Sequence, residues 1–421
     1  MDESTQTNSM RHVLEVARQL ARPHELGEML TTIIDAGRAV LNADRGTVFL
    51  YDAEKSELFV KVGTGIGELR FSIEQGLVGE CARTRKTINV PDCYADPRFN
   101  QEVDKQTGYR THCLLTVPLV GLDEELVGVM QLLNAAKGVF EKADDQIAEA
   151  FASHAGVAIQ RVRLLEERMV RLKLERDLQL ARQIQMNVLP EKLPTLDGYD
   201  VASFSQPAEE TGGDIYDVIP ISSGDGQEAV SLLILLADAT GHGIGPALSV
   251  TQVRAMLRVG VRLSAGVDDL IGHINNQLTE DLASERFVTA FLGLVDSKRH
   301  QVVYHSAGQA PLLHLDAEGH CSWLDASTLP MGILSDMPLD PPVPLDMKPG
   351  YFFVLLTDGF YEYMNAAGEQ LGKQRIGQVV SAHRSESAQE VMDALLAELW
   401  RFAEGAPQMD DLTAVIIKRK K

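Results

Sequence analysis

No apolar run in these 421 residues is long enough to span a bilayer, so no membrane partner is expected. Positive charge is scarce too: 39 Lys and Arg stand against 60 Asp and Glu, a formal net charge of −21. That excess repels phosphate backbones and makes nucleic acid a poor partner. Cysteine is sparse. Cys81, Cys93, Cys113 and Cys321 are the four, and no two share the short spacing of a zinc or redox motif. They read as reduced, buried thiols of a cytoplasmic protein. Met1 to Met10 is polar and lacks the apolar segment of a secretory signal. The basic end, Lys418 to Lys421, reads as a solvated tail.

What remains is an ordinary globular composition, 45% hydrophobic and 24% charged, in a chain long enough for two or three domains. The first region, about 10 to 160, mixes strands and helices. Gly46 to Tyr51, Leu114 to Val120 and Leu126 to Leu133 read as strands, and Leu26 to Leu41 as a helix. A linker of about 155 to 190 follows, and a last region of about 195 to 420 alternates strands with helices. There Val230 to Ala237 and Tyr351 to Leu356 read as buried strands. Ile244 to Leu263, Val267 to Leu282 and Ala388 to Phe402 read as helices. The fold class is therefore mixed α/β, of the α+β kind.

The linker lacks the usual breakers. From Asp144 to Leu189 the pattern is one long helix, and no Gly or Pro interrupts Val157 to Leu189. Val157, Leu164, Leu165, Met169, Leu172, Leu178 and Ile184 mark an apolar stripe that a lone helix cannot bury. A parallel homodimeric coiled coil is the simplest partner, and packing on the helix's own domain the alternative. Pro190 and Pro194 end the helix.

Four acidic segments mark the C-terminal region: Gly212-Gly213-Asp214-Ile215-Tyr216-Asp217, Asp238-Ala239-Thr240-Gly241-His242-Gly243, Thr357-Asp358-Gly359 and Asp410-Asp411. Asp238 and Asp358 follow apolar strands and Asp410 precedes one, which gathers short carboxylates on a rigid sheet edge. Neighbouring glycines let backbone oxygen approach a ligand. Converging carboxylates repel unless cations sit among them. Oxygen-only donors suit Mn2+ or Mg2+, and a pair of such ions supports phosphomonoester hydrolysis.

Taken together, these segments resemble the PPM, or type 2C, protein phosphatases, in their bacterial SpoIIE-type branch. The resemblance covers about Leu174 to Lys418. Phe287-Val288-Thr289-Ala290, Ser306-Ala307-Gly308, Met331-Gly332-Ile333 and Glu362 add to it, while Gln309 and Met331 depart from the branch's usual His and Leu. It implies an α-β-β-α sandwich holding two metal ions at one end of its sheets. Asp238 would bridge both ions, the Ala239 carbonyl would bind one, and Asp358 and Asp410 would hold the other. Catalysis would rest on Asp238, Asp358 and Asp410. Asp214 and Asp217 fall where the family has acids near the metals, with Asp411 and His242 behind them. The branch acts on phosphoserine or phosphothreonine of anti-sigma-factor antagonists.

The first region resembles a GAF sensor domain with a central antiparallel sheet. Gly76-Leu77-Val78-Gly79, Asn89-Val90-Pro91-Asp92, Asp96-Pro97-Arg98-Phe99 and Val117-Pro118-Leu119 carry this likeness, which is greatest to cyclic-nucleotide phosphodiesterases. Asn134, Phe140, Asp144 and Asp145 match their signature in spacing, with Ala135 replacing a Lys and Asp145 a Glu. These four and Phe99 are the expected ligand pocket. The ligand stays open between a cyclic nucleotide, another small molecule and none. On this reading the chain is a phosphatase whose activity follows the sensor through the helix. A non-catalytic scaffold or a nucleotide cyclase would not explain why acids stand at all of Asp238, Asp358 and Asp410.

Overall fold

The structure, a computed structural model, describes residues 25–63, 69–222, 228–283 and 285–421. The signal-like question at Met1 to Met10 lies outside the described residues. The chain divides into two compact units, Met1–Lys173 and Leu174–Lys421.

In the first unit, α1 (Leu26–Leu41) leads into β1 (Ala43–Asp52), β2 (Glu57–Gly63) and β3 (Arg70–Ser72). Then come α2 (Gly76–Thr84), β4 (Ile88–Val90), α3 (Glu102–Thr107), β5 (Leu114–Val120), β6 (Leu126–Ala135) and α4 (Lys142–Val188). The six strands form one antiparallel sheet in the order β3-β2-β1-β6-β5-β4. Apolar residues at helical spacing, Met29, Leu30 and Ile33 of α1 with Phe151 and Ile159 of α4, cover one face. Val78 and Cys81 of α2 cover part of the other, against Phe49 and Val129.

Helix α4 has 47 residues, and the boundary between the units falls within it. Its first part, through Val162, is buried in the core of the first unit. From Leu164 to Ile184 most of its apolar residues are exposed, with Met169 and Val170 each at 70%, whereas Leu178 is half-buried and Val188 packs on a core of the second unit. Burial along the helix is thus split: core up to Val162, largely solvent from Leu164 to Ile184, and packing again at Val188.

The second unit begins with β7 (Tyr199–Gln206), β8 (Asp214–Ser222) and β9 (Ala229–Ala239), followed by α5 (Ile244–Arg262) and α6 (Val267–Asp281). Strands β10 (Val288–Asp296), β11 (Gln301–Ala307), β12 (Leu312–Leu315), β13 (Cys321–Leu324), β14 (Val343–Asp346) and β15 (Phe352–Leu356) come next. Last are α7 (Asp358–Tyr361), α8 (Gly372–Ala382), α9 (Ala388–Ala403) and β16 (Leu412–Arg419). Two five-stranded antiparallel sheets result, β14-β11-β10-β9-β8 and β13-β12-β15-β16-β7.

The alternation of side chains along each strand sets the layers. Leu233, Leu235 and Ala237 of β9 face Val250, Val253 and Leu257 of α5. Leu232, Ile234 and Leu236 instead meet Phe353, Leu355 and Val415 of the opposite sheet. The outer face of that sheet packs on Val391, Leu395 and Leu399 of α9. The order is helix, sheet, sheet, helix.

Two expectations change. The basic end is only in part a solvated tail: Lys420 and Lys421 are exposed, but β16 runs to Arg419, and Lys418 is buried with its ammonium 4.8 Å from the Phe352 ring. Cys321 is exposed, whereas Cys81, Cys93 and Cys113 are buried as expected. Burial pushes the Cys81 and Cys93 thiols up to about 12, which keeps them protonated and unreactive near neutral pH.

Candidate metal centre

The acids meet where the two sheets adjoin at one end. Asp214 and Asp238 are register partners across β8 and β9, and Thr289 of β10 pairs Asp238 from the other side. Register partners share a face, and here it is the face turned toward the second sheet, on which Tyr216, Leu236 and Phe291 also lie. From that second sheet Thr357, just past β15, and Asp411, just before β16, follow the same parity as Leu355 and Val415. Thr357 Oγ1 donates to Asp214 Oδ2 at 2.7 Å, so the two sheets are joined at the cluster itself.

Asp411 is a hub for backbone donors. It accepts from the amides of Ala208 at 2.8 Å and Asp214 at 3.2 Å. Asp358 opens α7, and Asp410 precedes Asp411 on an exposed turn. Gly241 and Gly243 end the loop after β9 with φ of 92° and 89°, values strained for any L side chain. Gly213 allows close approach: a Cβ there would stand 2.8 Å from the Ala239 carbonyl oxygen.

The electrostatics are those of crowded anions. Burial, then the charges of Asp358, Asp410 and Asp411, push the Asp238 carboxyl up to about 7. Burial and Asp410 push Asp358 up to about 6. Asp214, wholly buried, is held well above the carboxylate range by burial and by Asp238 and Asp411. The charged neighbours acting on Asp238 are all acids. Among the described residues no three His, Cys, Asp or Glu side chains are already drawn into a group that could hold an ion. The donor set fits a hard divalent cation, with its carboxylate oxygens, the Ala239 carbonyl and a charge that a cation would relieve.

Not every expected residue is there. Asp217 lies on β8 three positions from Asp214, so it faces the opposite side. It is fully buried against α5, where Arg258 Nε and Nη2 donate to it at 2.6 and 2.8 Å and Arg254 Nε lies 2.9 Å away. Its carboxylate is committed to arginine, not to the cluster. His242 is 84% exposed and contacts Glu209 at 3.3 Å. Gln309 is buried, accepting from Thr289 Oγ1 at 3.0 Å and donating to the Leu356 carbonyl at 3.0 Å, which fastens β10 to the end of β15. Arg254 and Arg258 were not foreseen. Their signal was two cations one turn apart on the helix face that carries Val250, Val253 and Leu257.

In the first unit a cavity of about 350 Å3 is lined by Arg45, Phe49, Phe99, Tyr109, Gln131 and Leu133 among others. Of the five expected pocket residues only Phe99 lines it. The other four make contacts within the fold. Asn134 Oδ1 accepts from the His112 amide at 2.7 Å and its amide donates to Tyr109 at 2.8 Å. Phe140 is in the helix-side core. Asp144 caps the Glu141 amide at 2.7 Å and pairs with Lys137 at 2.7 Å, and Asp145 accepts from Asn89 at 2.7 Å. The cation beside Asp144 is therefore Lys137, two residues past Ala135.

Comparison with known proteins agrees with this division. Residues 229–420 match the family model described as Stage II sporulation protein E, and residues 25–159 match that of the GAF domain. A probable 3',5'-cyclic phosphodiesterase of Caenorhabditis elegans is 31% identical over 172 residues, 37% of this chain and 23% of that protein. The phosphoserine phosphatase RsbU of Bacillus subtilis is 23% identical over 266 residues, 63% of this chain and 76% of that protein. The solved SiaA-PP2C domain of Pseudomonas aeruginosa has a TM-score of 0.50 at 23% identity, over 59% of this chain and 98% of its own, a likeness of fold. The chain spans less than half the length of some curated relatives, 23% and 42% for two of them.

Proposed function

We propose that this chain, which joins a GAF domain to a domain of the SpoIIE phosphatase family, is a metal-dependent serine/threonine phosphoprotein phosphatase governed by its sensor. The observation that carries the reading is the convergence of Asp214, Asp238, Asp358, Asp410 and Asp411 at one end of two packed sheets.

Asp238, Asp358, Asp410 and the Ala239 carbonyl would hold two Mn2+ or Mg2+ ions. Bound there, such ions supply an activated water and neutralise charge on the phosphoryl group. The chain's own part is positioning. Thr357 fixes Asp214, Asp411 ties the segment at Ala208 to β8, and Gln309 braces the two sheets behind Asp238. Exposed carboxylate on Asp410 and half-buried Asp238 and Asp358 leave the cluster open to solvent on one side, as a protein substrate requires.

The substrate on this reading is a phosphoserine or phosphothreonine protein of the anti-sigma-factor antagonist kind. Similarity to a protein named phosphoserine phosphatase supports that choice. The cavity beside Phe99 supports a small-molecule signal, a cyclic nucleotide being one candidate. The exposed apolar residues of α4 support a parallel homodimer through the helix, and a cytoplasmic setting suits the reduced thiols. No helix of the described residues is long and apolar enough to cross a membrane.

The test is hydrolysis of p-nitrophenyl phosphate with and without Mn2+, by wild type and by Asp238→Asn. Metal-dependent turnover in wild type that falls at least about a hundredfold in the variant is expected. Wild type without metal-dependent turnover would overturn the reading.

A further inference from the structure

We infer that Gln185, on the last turn of α4, is a positioning residue for the metal centre and acts through the backbone of Gly212. The inference rests on the phosphatase reading above and adds a residue to it.

Gln185 stands out from its own helix. Its neighbour Ile184 is 57% exposed, yet Gln185, a polar residue, is only 6% exposed. Its primary amide makes two bonds to one residue. Nε2 donates to the Gly212 carbonyl at 2.7 Å, and Oε1 accepts from the Gly212 amide at 3.1 Å. A side-chain amide here takes the place that a neighbouring strand would have, satisfying both backbone groups of a buried glycine. One turn earlier, Arg182 donates to the Glu209 carbonyl at 3.0 Å. Two side chains on one helix face therefore hold the segment that leads into β8.

That segment bears directly on the acids. Gly212 lies against Asp411, and a Cβ on it would overlap the Asp411 carboxylate. Asp411 in turn accepts from the amides of Ala208 and Asp214. The next residue, Gly213, accepts from the Ala239 amide at 3.0 Å. The path from Gln185 thus reaches Asp411 by packing, and Ala239 by one peptide and one hydrogen bond. Truncating Gln185 would leave a buried amide and carbonyl without partners, and the segment would have to shift or take up water. Either change moves Asp411 and the Ala239 loop together. Gln185 pairs with no strand of either sheet, so residues 352–356 of β15 serve as the control.

The experiment uses the full chain, freed of metal, as wild type, Gln185→Ala and Gln185→Glu. Mn2+ is titrated by calorimetry, and hydrogen exchange is followed by mass spectrometry in peptides covering 207–216 and 352–356. Gln185→Ala should weaken Mn2+ binding about tenfold, the usual cost of losing a partner behind a ligand. It should speed exchange in 207–216 and leave 352–356 unchanged. Gln185→Glu keeps the acceptor but loses the donor, and should fall between. Wild-type Mn2+ affinity together with wild-type exchange in Gln185→Ala would overturn the inference. Faster exchange in both peptides would mean that Gln185→Ala has lost its fold, and Gln185→Glu then decides by the same readouts. If wild type itself binds no Mn2+, it is the phosphatase reading that fails, and exchange in 207–216 judges the role of Gln185 separately.

Discussion

Asp217 gives its carboxylate to Arg258, at 2.6 and 2.8 Å, on the face of β8 turned away from Asp214. Two acids three positions apart in one strand therefore do unrelated work. Asp214 belongs to the cluster between the sheets, while Asp217 fastens α5 to the outer face of its sheet.

Removing Asp217 should cost stability rather than metal. Asp217→Ala leaves two partly buried guanidinium groups without their counter-charge, and because Arg258 reaches solvent the loss should be about 1–3 kcal/mol. Chemical denaturation should show it, while calorimetry on the folded variant finds Mn2+ affinity within about threefold of wild type. A folded variant that binds no Mn2+ would return Asp217 to the centre.

Asp238→Asn should act in opposite directions on stability and on turnover. Asp238 stands among Asp358, Asp410 and Asp411, and those charges help to push its carboxyl up to about 7. Neutralising it relieves repulsion, so the metal-free variant should melt a few degrees above wild type at pH 8. Its Mn2+-dependent hydrolysis should be lost. A lower melting point would contradict the repulsion described here.

The same shifts set a pH dependence. Asp238 and Asp358 have folded-state values near 7 and 6, above the ordinary 3.8. The folded protein thus holds more protons than the unfolded chain between about pH 4 and 7. Stability of the metal-free protein should therefore fall as pH rises through that window. Saturating Mn2+ binds the ionised form and should flatten or reverse the slope. Melting curves from pH 5 to 8, with and without Mn2+, check the sign.

Gly212→Ala should damage the centre without touching an acid. Its Cβ would overlap the Asp411 carboxylate, which cannot withdraw without giving up the amides of Ala208 and Asp214. Mn2+ binding measured by calorimetry should weaken about tenfold or more. Unchanged affinity would show that the segment has room that the packing denies it.

For the first unit, cyclic AMP and cyclic GMP titrated into the full chain should give saturable heat if the cavity is a ligand site, and Phe99→Ala should reduce it. Asn134→Ala should instead lower the melting point, because that side chain ties the His112 segment to Tyr109. Equal loss of binding in both variants at unchanged stability would move the pocket back to the signature residues.

Local patterns in the sequence determined a great deal. The helix expected at Leu26 to Leu41 is found at those bounds, and the long helix expected from Asp144 to Leu189 runs from Lys142 to Val188. Apolar runs marked β9 and β15, and acids beside glycine marked the ends where strands stop. These features are legible because helix and strand periods, and the φ that glycine permits, act within a few residues. Even the separation of Asp217 from Asp214 was open to a parity argument. What only the tertiary structure decided is which elements adjoin. Asp214 meets Thr357 across 143 positions, Gln185 meets Gly212 across 27, and Asp144 finds Lys137 where the signature placed its cation at 135. Such pairings follow from sheet register and layer packing, which depend on the whole chain at once, and no periodicity within one element encodes them.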